Sequence, residues 1–398
     1  MLASTEDIPP SRVESNGALV VVIASSLSIL SSLLSPPMAL FLGIASVAAA
    51  ARWTPRLLPL AIVCYAHAGA LIVASHDFET LQSDFRTYNL VRRFLCTADE
   101  PAPGLLFFGP EVGIPLAYYA ASFLGACSLS INGLAYVQTL AVSSLILITL
   151  SRYVVVSTDE DDRWLAVTGL CLMYSFFYTS QLSRQAVSSF FVLHALFMAK
   201  SRKRAFADLA LAALFHLTGP IIYLLARVFR RGLSPLVALL FVGLAALVLN
   251  AGPLLERVDS VLGIPLIGKF AFYGTDEAAG MALSDWKVIL YLLTAGIFLL
   301  RVERRDAQVL LGFAVLGLVM IRFPLAATRL SLPFSSLAVG YFLFRGIARA
   351  SRPLSLAVFA ALLIYRMIAV NTRTTDEGSL WDIYPSAHST PGYYLQEF

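Results

Sequence analysis

The sequence predicts an all-α polytopic integral membrane protein with about 13 transmembrane or half-membrane helices and two larger extracytoplasmic loops. Three observations carry this. Of 398 residues, 58% are hydrophobic and 14% charged. Mean hydropathy is +0.76. The apolar segments are separated by clusters of Arg and Lys that can all be placed on one side of a bilayer, as cytoplasmic loops require. Such a composition fits one membrane domain over residues 1–398.

The elements follow from that side rule. Residues 1–17 carry Glu6, Asp7 and Glu14 without a basic region, so they read as a cytoplasmic tail and not as a cleaved signal. A first span, 18–34, stops at Ser35-Pro36-Pro37, and 38–51 returns to Arg52 and Arg56. Residues 57–75 cross outward, with His67 expected as a packed polar residue. Residues 76–111 form the first extracytoplasmic loop, containing Asp84, Arg86, Tyr88, Arg92 and Glu111. Asp84 and Tyr88 are four apart and share a face if that piece is helical.

Residues 112–130 are apolar, but the side rule leaves no room for a crossing there, so they are expected as a shallow outer-leaflet helix bent by Gly113, Pro115 and Gly125. Spans 132–151, 163–178 and 184–199 then lead to the basic cluster Lys200–Arg204. A second cluster, Arg227–Arg231, follows after about 22 residues, enough for one crossing at about 1.5 Å per residue. One crossing would separate the clusters. Thr218-Gly219-Pro220 breaks the segment, so two half-helices are expected, with His216 near the tip and Thr218 or Gly219 as the cap. A broken pair of this kind is tolerated where it lines protein or a wet cavity.

Residues 234–251 run outward, 252–285 form the second extracytoplasmic loop, and 286–300, 307–321, 324–344 and 353–370 complete the spans. The tail 371–398 is expected outside. No internal repeat is visible.

Net charge +4 reflects the cytoplasmic loops and gives no reason to expect nucleic acid. The four cysteines have no metal spacing, and neither a disulfide framework nor a metal site is expected. Only four of the 29 basic residues are lysine, so most positive charge is the bidentate guanidinium that suits phosphate. Arg184, behind Ser183 at the start of an inward-running helix, and Arg322 and Arg329, seven apart on one helix face, are expected near the outer side. Together with two helix N-termini they suggest an anion site for phosphate or pyrophosphate. The alternative is that these arginines pair with Asp84, Glu111 or Asp208 and hold helices together.

The ordered set Asp84-x-x-x-Tyr88, Glu111-x-Gly113, Arg184-Gln185, Phe215-His216-x-Thr218 and a late arginine (Arg322 or Arg329) resembles the EpsG/Wzy type of bacterial polysaccharide polymerase over roughly residues 57–345. Gln181 stands where that pattern has Asn. The resemblance implies a fold similar to membrane glycosyltransferases that use lipid-phosphate donors. It implies an enzyme of the bacterial inner membrane that joins undecaprenyl-pyrophosphate-linked oligosaccharide repeat units on the periplasmic face, without a cofactor or metal. Its partners would be the lipid-linked donor and acceptor, the bilayer, a chain-length regulator and a flippase. On this reading Asp84, Glu111 and His216 are the catalytic candidates. Asp84 is assigned to the acceptor hydroxyl and His216 to the phosphate side. Arg184, Gln185, Arg322, Arg329, Tyr88 and Arg86 bind substrate. An O-antigen ligase and a polyprenyl-phosphate-sugar glycosyltransferase stay open. So does a flippase or transporter of lipid-linked sugars, although that class favours two similar halves.

Overall fold

The computed structural model describes residues 12–75, 84–97, 101–232, 285–320 and 324–372. Among these the regular elements are all helical. In chain order they are α1 (Arg12–Ser32), α2 (Pro36–Trp53), α3 (Leu58–Ala74), α4 (Asp84–Thr97), α5 (Ala102–Leu105), α6 (Gly113–Ser122), α7 (Ile131–Ser157), α8 (Glu160–Met173), α9 (Phe176–Gln181) and α10 (Ser183–Leu193). They continue with α11 (Arg202–Phe215), α12 (Thr218–Arg230), α13 (Asp285–Leu299), α14 (Arg304–Val319), α15 (Pro324–Leu332), α16 (Val339–Ala350) and α17 (Arg352–Thr372). The expected span 234–251, the loop 252–285 up to residue 284, Arg322, residues 76–83 and 98–100 of the first loop, and the tail 371–398 beyond Thr372 lie outside the described residues.

The chain divides into two compact units, one of residues 1–89, 128–172 and 358–398, the other of 90–127 and 173–357. In the first, α1, α2 and α3 pack in succession and α7 lies against α3. Ser35 has extended backbone and accepts a bond from Met38 N–H, with Pro36 and Pro37 in the first turn of α2, so chain reversal and helix start are set together. His67 is indeed a packed polar residue: its ring bonds Ser32 Oγ at 3.1 Å and Tyr136 Oη at 2.8 Å.

The second unit is built from interrupted helices. The expected span 163–178 ends early. α8 stops at Met173, Ser175 caps the short α9 by accepting from Tyr178 N–H, and Leu182 separates α9 from α10. The expected span 184–199 is α10 followed by one π-helical turn, His194–Met198. The expected span 324–344 is broken too. α15 passes through a π turn, Pro333–Leu337, and bends by 56° into α16. Proline has no N–H to donate and crowds the preceding turn, which is the local cause. Two of these interruptions meet, because Ser175 N–H donates to Ser336 C=O at 3.2 Å.

Among the described residues, three segments are long and apolar enough to cross a membrane: α2, Pro55–Ala74 and α7, with a fourth if the bent pair counts as one span. They do not confirm the expected number of about 13 transmembrane or half-membrane helices. Described residues that are all helical in their regular elements, with several such segments, are compatible with a membrane protein.

The expectation of no disulfide framework is corrected by one disulfide. Cys96, at the end of α4, is bonded to Cys127 in a 3-10 turn after α6, with Cα atoms 5.7 Å apart. Cys127 belongs to an apolar stretch expected to be helical over 112–130, whereas α6 ends at Ser122 and the chain reverses through Gly125 at φ +87. Cys64 and Cys171 are free and buried.

Candidate active site

The site is organised by a helix break in the second unit. α11 ends at Phe215, His216 has extended backbone (φ −159, ψ 124), and α12 starts at Thr218. α11 and α12 pack on each other and both pack on α10. At 14 and 13 residues, each is about 20 Å long. Gly219 sits in the first turn of α12 where a Cβ would collide with Ser188 Oγ and reach 3.0 Å from Ala212 Cβ, so only glycine lets α12 come this close. The carbonyl of His216, freed by the break, accepts from Ser188 Oγ at 3.2 Å and from Gly219 N–H at 3.0 Å.

The expected side-chain cap does not form. Leu217 is the N-cap residue and Thr218 Oγ1 has no partner among the described residues. The cap arrives from 106 residues away, where Glu111 Oε1 accepts from Leu217 N–H at 3.0 Å. The same oxygen lies 2.6 Å from His216 Nδ1, and Oε2 accepts from Arg184 Nη1 at 2.6 Å. One carboxylate thus joins a histidine, an arginine and a helix N-terminus. All three are places where a negative charge is favoured.

The sequence explains why Glu111 arrives there. Two residues on, Gly113 opens α6, and a Cβ on it would lie 2.7 Å from Phe215 Cδ1. Phe215 in turn stacks on Phe191 of α10 at 6.0 Å. The loop before α6 also lays Phe108 against the Arg184 guanidinium at 3.8 Å, a cation–π contact on a residue the sequence reading had not singled out. Arg184 is therefore held by charge and by ring.

Burial pushes the Glu111 carboxyl up. The hydrogen bond and charge of His216, the Leu217 N–H and the Arg184 guanidinium outweigh burial and hold it below its ordinary value. Glu111 is an anion at neutral pH, so it is a poor general base and a strong orienting group. It fixes the proton on His216 Nδ1. Nε2 makes no hydrogen bond to another described residue and is the ring atom left for chemistry.

The other sequence candidates fall as follows. Gln185 is buried and its Nε2 donates to the Arg329 carbonyl, which ties α10 to α15. Arg329 thus joins the site's framework through its backbone. Arg322 lies outside the described residues, as does the side chain of Asp84. Asp84 opens α4, so its four-residue spacing from Tyr88 is helical as expected. Tyr88 is buried edge-on against Phe85, while Arg86 is exposed. Arg92, in the same loop, is buried and donates to the Ala126 carbonyl at 2.6 Å.

The three-arginine anion site changes in form. At Arg184 the anion is the protein's own Glu111, the alternative weighed from the sequence. Ser183 does not cap α10, since its hydroxyl bonds back to the carbonyls of Thr179 and Ser180. Asp208, another proposed partner for these arginines, instead meets His194 Nδ1 at 2.8 Å, beside the π turn. Arg230 of the second basic cluster donates to Asp306 at 2.7 Å and to the Leu196 carbonyl at 2.9 Å, so that cluster is partly structural.

The chain also matches a known family. The model of the EpsG family covers residues 125–382, well over half of the chain. It spans Arg184, Gln185, His216, Arg322 and Arg329, and begins after Asp84, Arg86, Tyr88 and Glu111. The expected resemblance over 57–345 is therefore displaced toward the C-terminus. Comparisons with curated proteins and with solved structures give no match.

Proposed function

The chain belongs to the EpsG family, and from that premise we propose that it joins undecaprenyl-pyrophosphate-linked oligosaccharide repeat units into a surface polysaccharide on the periplasmic face of the bacterial inner membrane. A polysaccharide-polymerase role of glycosyltransferase type belongs to the family. The donor, the side of the membrane and the roles of residues are the proposal.

One observation carries it: the buried Glu111–His216 pair, with Arg184 on the other carboxylate oxygen, at a helix break. His216 Nε2 takes the proton of the acceptor hydroxyl as its oxygen forms the new bond to the anomeric carbon. The anomeric carbon–oxygen bond to pyrophosphate breaks, and the leaving pyrophosphate carries away the electron pair. Glu111 holds the ring in the required tautomer and stabilises the imidazolium that forms. Arg184 supplies positive charge for the developing pyrophosphate, and no metal takes part. This moves the base from Asp84 to His216. Asp84 and Arg86 remain proposed contacts for the acceptor sugar, with the buried Tyr88 supporting them from behind.

The outer-face placement is supported by the Cys96–Cys127 disulfide, which closes the loop carrying Glu111, since such bonds persist in oxidising compartments. The 112–130 region is proposed to lie in the outer leaflet, and the α11–α12 pair to enter from and return to the cytoplasmic side.

The test is polymerisation in vitro by the purified chain, with a lipid-linked repeat unit as both donor and acceptor and a chelator present. His216→Ala is expected to leave the single-unit lipid unextended. Full activity of His216→Ala removes the mechanism, and dependence on a divalent cation removes its metal-free form. Transfer to a lipid A core with no polymer formed would make the chain a ligase.

A further inference from the structure

We propose a second ligand site in the first unit, on the face where α3 begins and α7 ends, that takes an anionic phospholipid of the surrounding bilayer. A cavity of about 390 Å³ lies there, between the 3-10 turn Pro55–Leu57 with the first turns of α3 and the last turns of α7. Its walls are Leu58 and Ile62 from one helix and Ile148 and Val155 from the other, and its two charged members are Arg56 and Arg152.

The spacing explains the shape. Leu58 and Ile62 are four apart, and so are Ile148 and Arg152, so each helix turns one stripe to the groove. The groove is apolar along its length, with a guanidinium from each wall. Both arginines are exposed, and neither forms an ion pair or a hydrogen bond with another described residue. Their neighbour Arg52 is engaged, donating to the Asp161 carbonyl at 3.5 Å.

The two helices are among those able to cross a membrane by length and composition. In a bilayer, a groove at the ends of two spans lies at headgroup depth, and one with arginine is matched by a lipid phosphate. A free phosphate would use the arginines and leave the accessible apolar lining, Pro59, Ile148, Val155 and Val156, uncovered, while Leu58 and Ile62 form the packed floor. The volume suits one acyl chain and is too narrow for a helix, whose diameter with side chains is about 10–12 Å. Charge and apolar length together therefore select a phospholipid with its phosphate at Arg56 and Arg152 and one chain along the groove. By the side rule this is the cytoplasmic leaflet.

The experiment uses the full chain in detergent. Lipid binding is read by native mass spectrometry and by thermal shift on titration with phosphatidylglycerol, phosphatidylcholine or inorganic phosphate. Phosphatidylglycerol is expected to bind and raise the melting temperature. Arg56→Gln/Arg152→Gln is expected to weaken that binding roughly tenfold or more, while Arg56→Lys/Arg152→Lys retains most of it. Val155→Trp, at a partly exposed lining position, fills the groove and keeps both charges, and is also expected to abolish binding. The arginines are exposed, so their replacement leaves the fold intact, checked by an unchanged melting temperature without lipid. Equal binding of phosphatidylcholine, undiminished binding by the double Gln variant, or an equal shift with inorganic phosphate would each overturn the proposal.

Discussion

Glu111 Oε1 and His216 Nδ1 are 2.6 Å apart, although 105 residues separate them in the chain. The contact exists because α11 stops one residue before the ring. A helical His216 would have its N–H and C=O in the ladder and its ring on the α11 surface. The extended backbone instead turns the ring toward the loop before α6 and leaves the next N–H for the same carboxylate. From this pair the site's behaviour can be stated in measurable terms.

The pair should act as a unit. His216→Ala and Glu111→Gln are each expected to lower the polymerisation rate by about 10²–10⁴-fold. The double variant should be little slower than His216→Ala alone, because Glu111 works through the ring. Initial rates on the lipid-linked repeat unit give the cycle. Additive losses would mean that Glu111 acts independently of His216.

The pH response has a defined sign. The folded-state value of Glu111 lies below the ordinary carboxylate value of about 4.3. Between those two values the unfolded chain binds more protons than the folded chain. Its contribution to stability is complete above the ordinary value and is lost as pH falls through the folded one. Thermal melts from neutral pH downward should show a steeper acid loss in the wild-type chain than in Glu111→Gln, which cannot titrate there.

Arg184 is held by the Glu111 carboxylate and the Phe108 ring at once. Arg184→Lys keeps charge but loses the planar fork and the stacking, so it should recover under about a tenth of wild-type rate. Arg184→Ala should also destabilise the chain by about 1–3 kcal/mol, since a mostly buried carboxylate loses one partner. Rate and melting temperature measured on the same preparations separate the two effects.

The Cys96–Cys127 bond closes a loop of 31 residues around Glu111. Chain entropy assigns such a bond about 3–4 kcal/mol. Cys96→Ser/Cys127→Ser should melt lower than the oxidised wild-type chain, and reductant should lower the wild type to meet it while leaving the double variant unmoved.

Much of this was legible in the sequence, and the residues show why. Gly219 and Pro220 announce a helix break because their backbone chemistry is local. The spacings Glu111-x-Gly113 and Phe215-His216 mark two ends of one contact, since Gly113 packs on Phe215. The partner of Arg184 was visible only as one of several acids, because pairing across 73 residues is decided by packing and not by spacing. The disulfide was missed for the same reason: Cys127 reads as part of an apolar run until Gly125 turns the chain. The π turn at His194–Met198 leaves no residue signature, whereas Pro333 was a signal for the bend before α16 that hydropathy alone hid.

Glu111 lies outside the stretch that matches the family, and this has a bearing on any shortened form of the protein. A fragment cut to residues 125–382 would keep a histidine and an arginine but discard the anion between them. It would strand Cys127 as a lone thiol and uncover the Phe215 ring where Gly113 rests. The smallest piece worth isolating therefore starts upstream of Cys96.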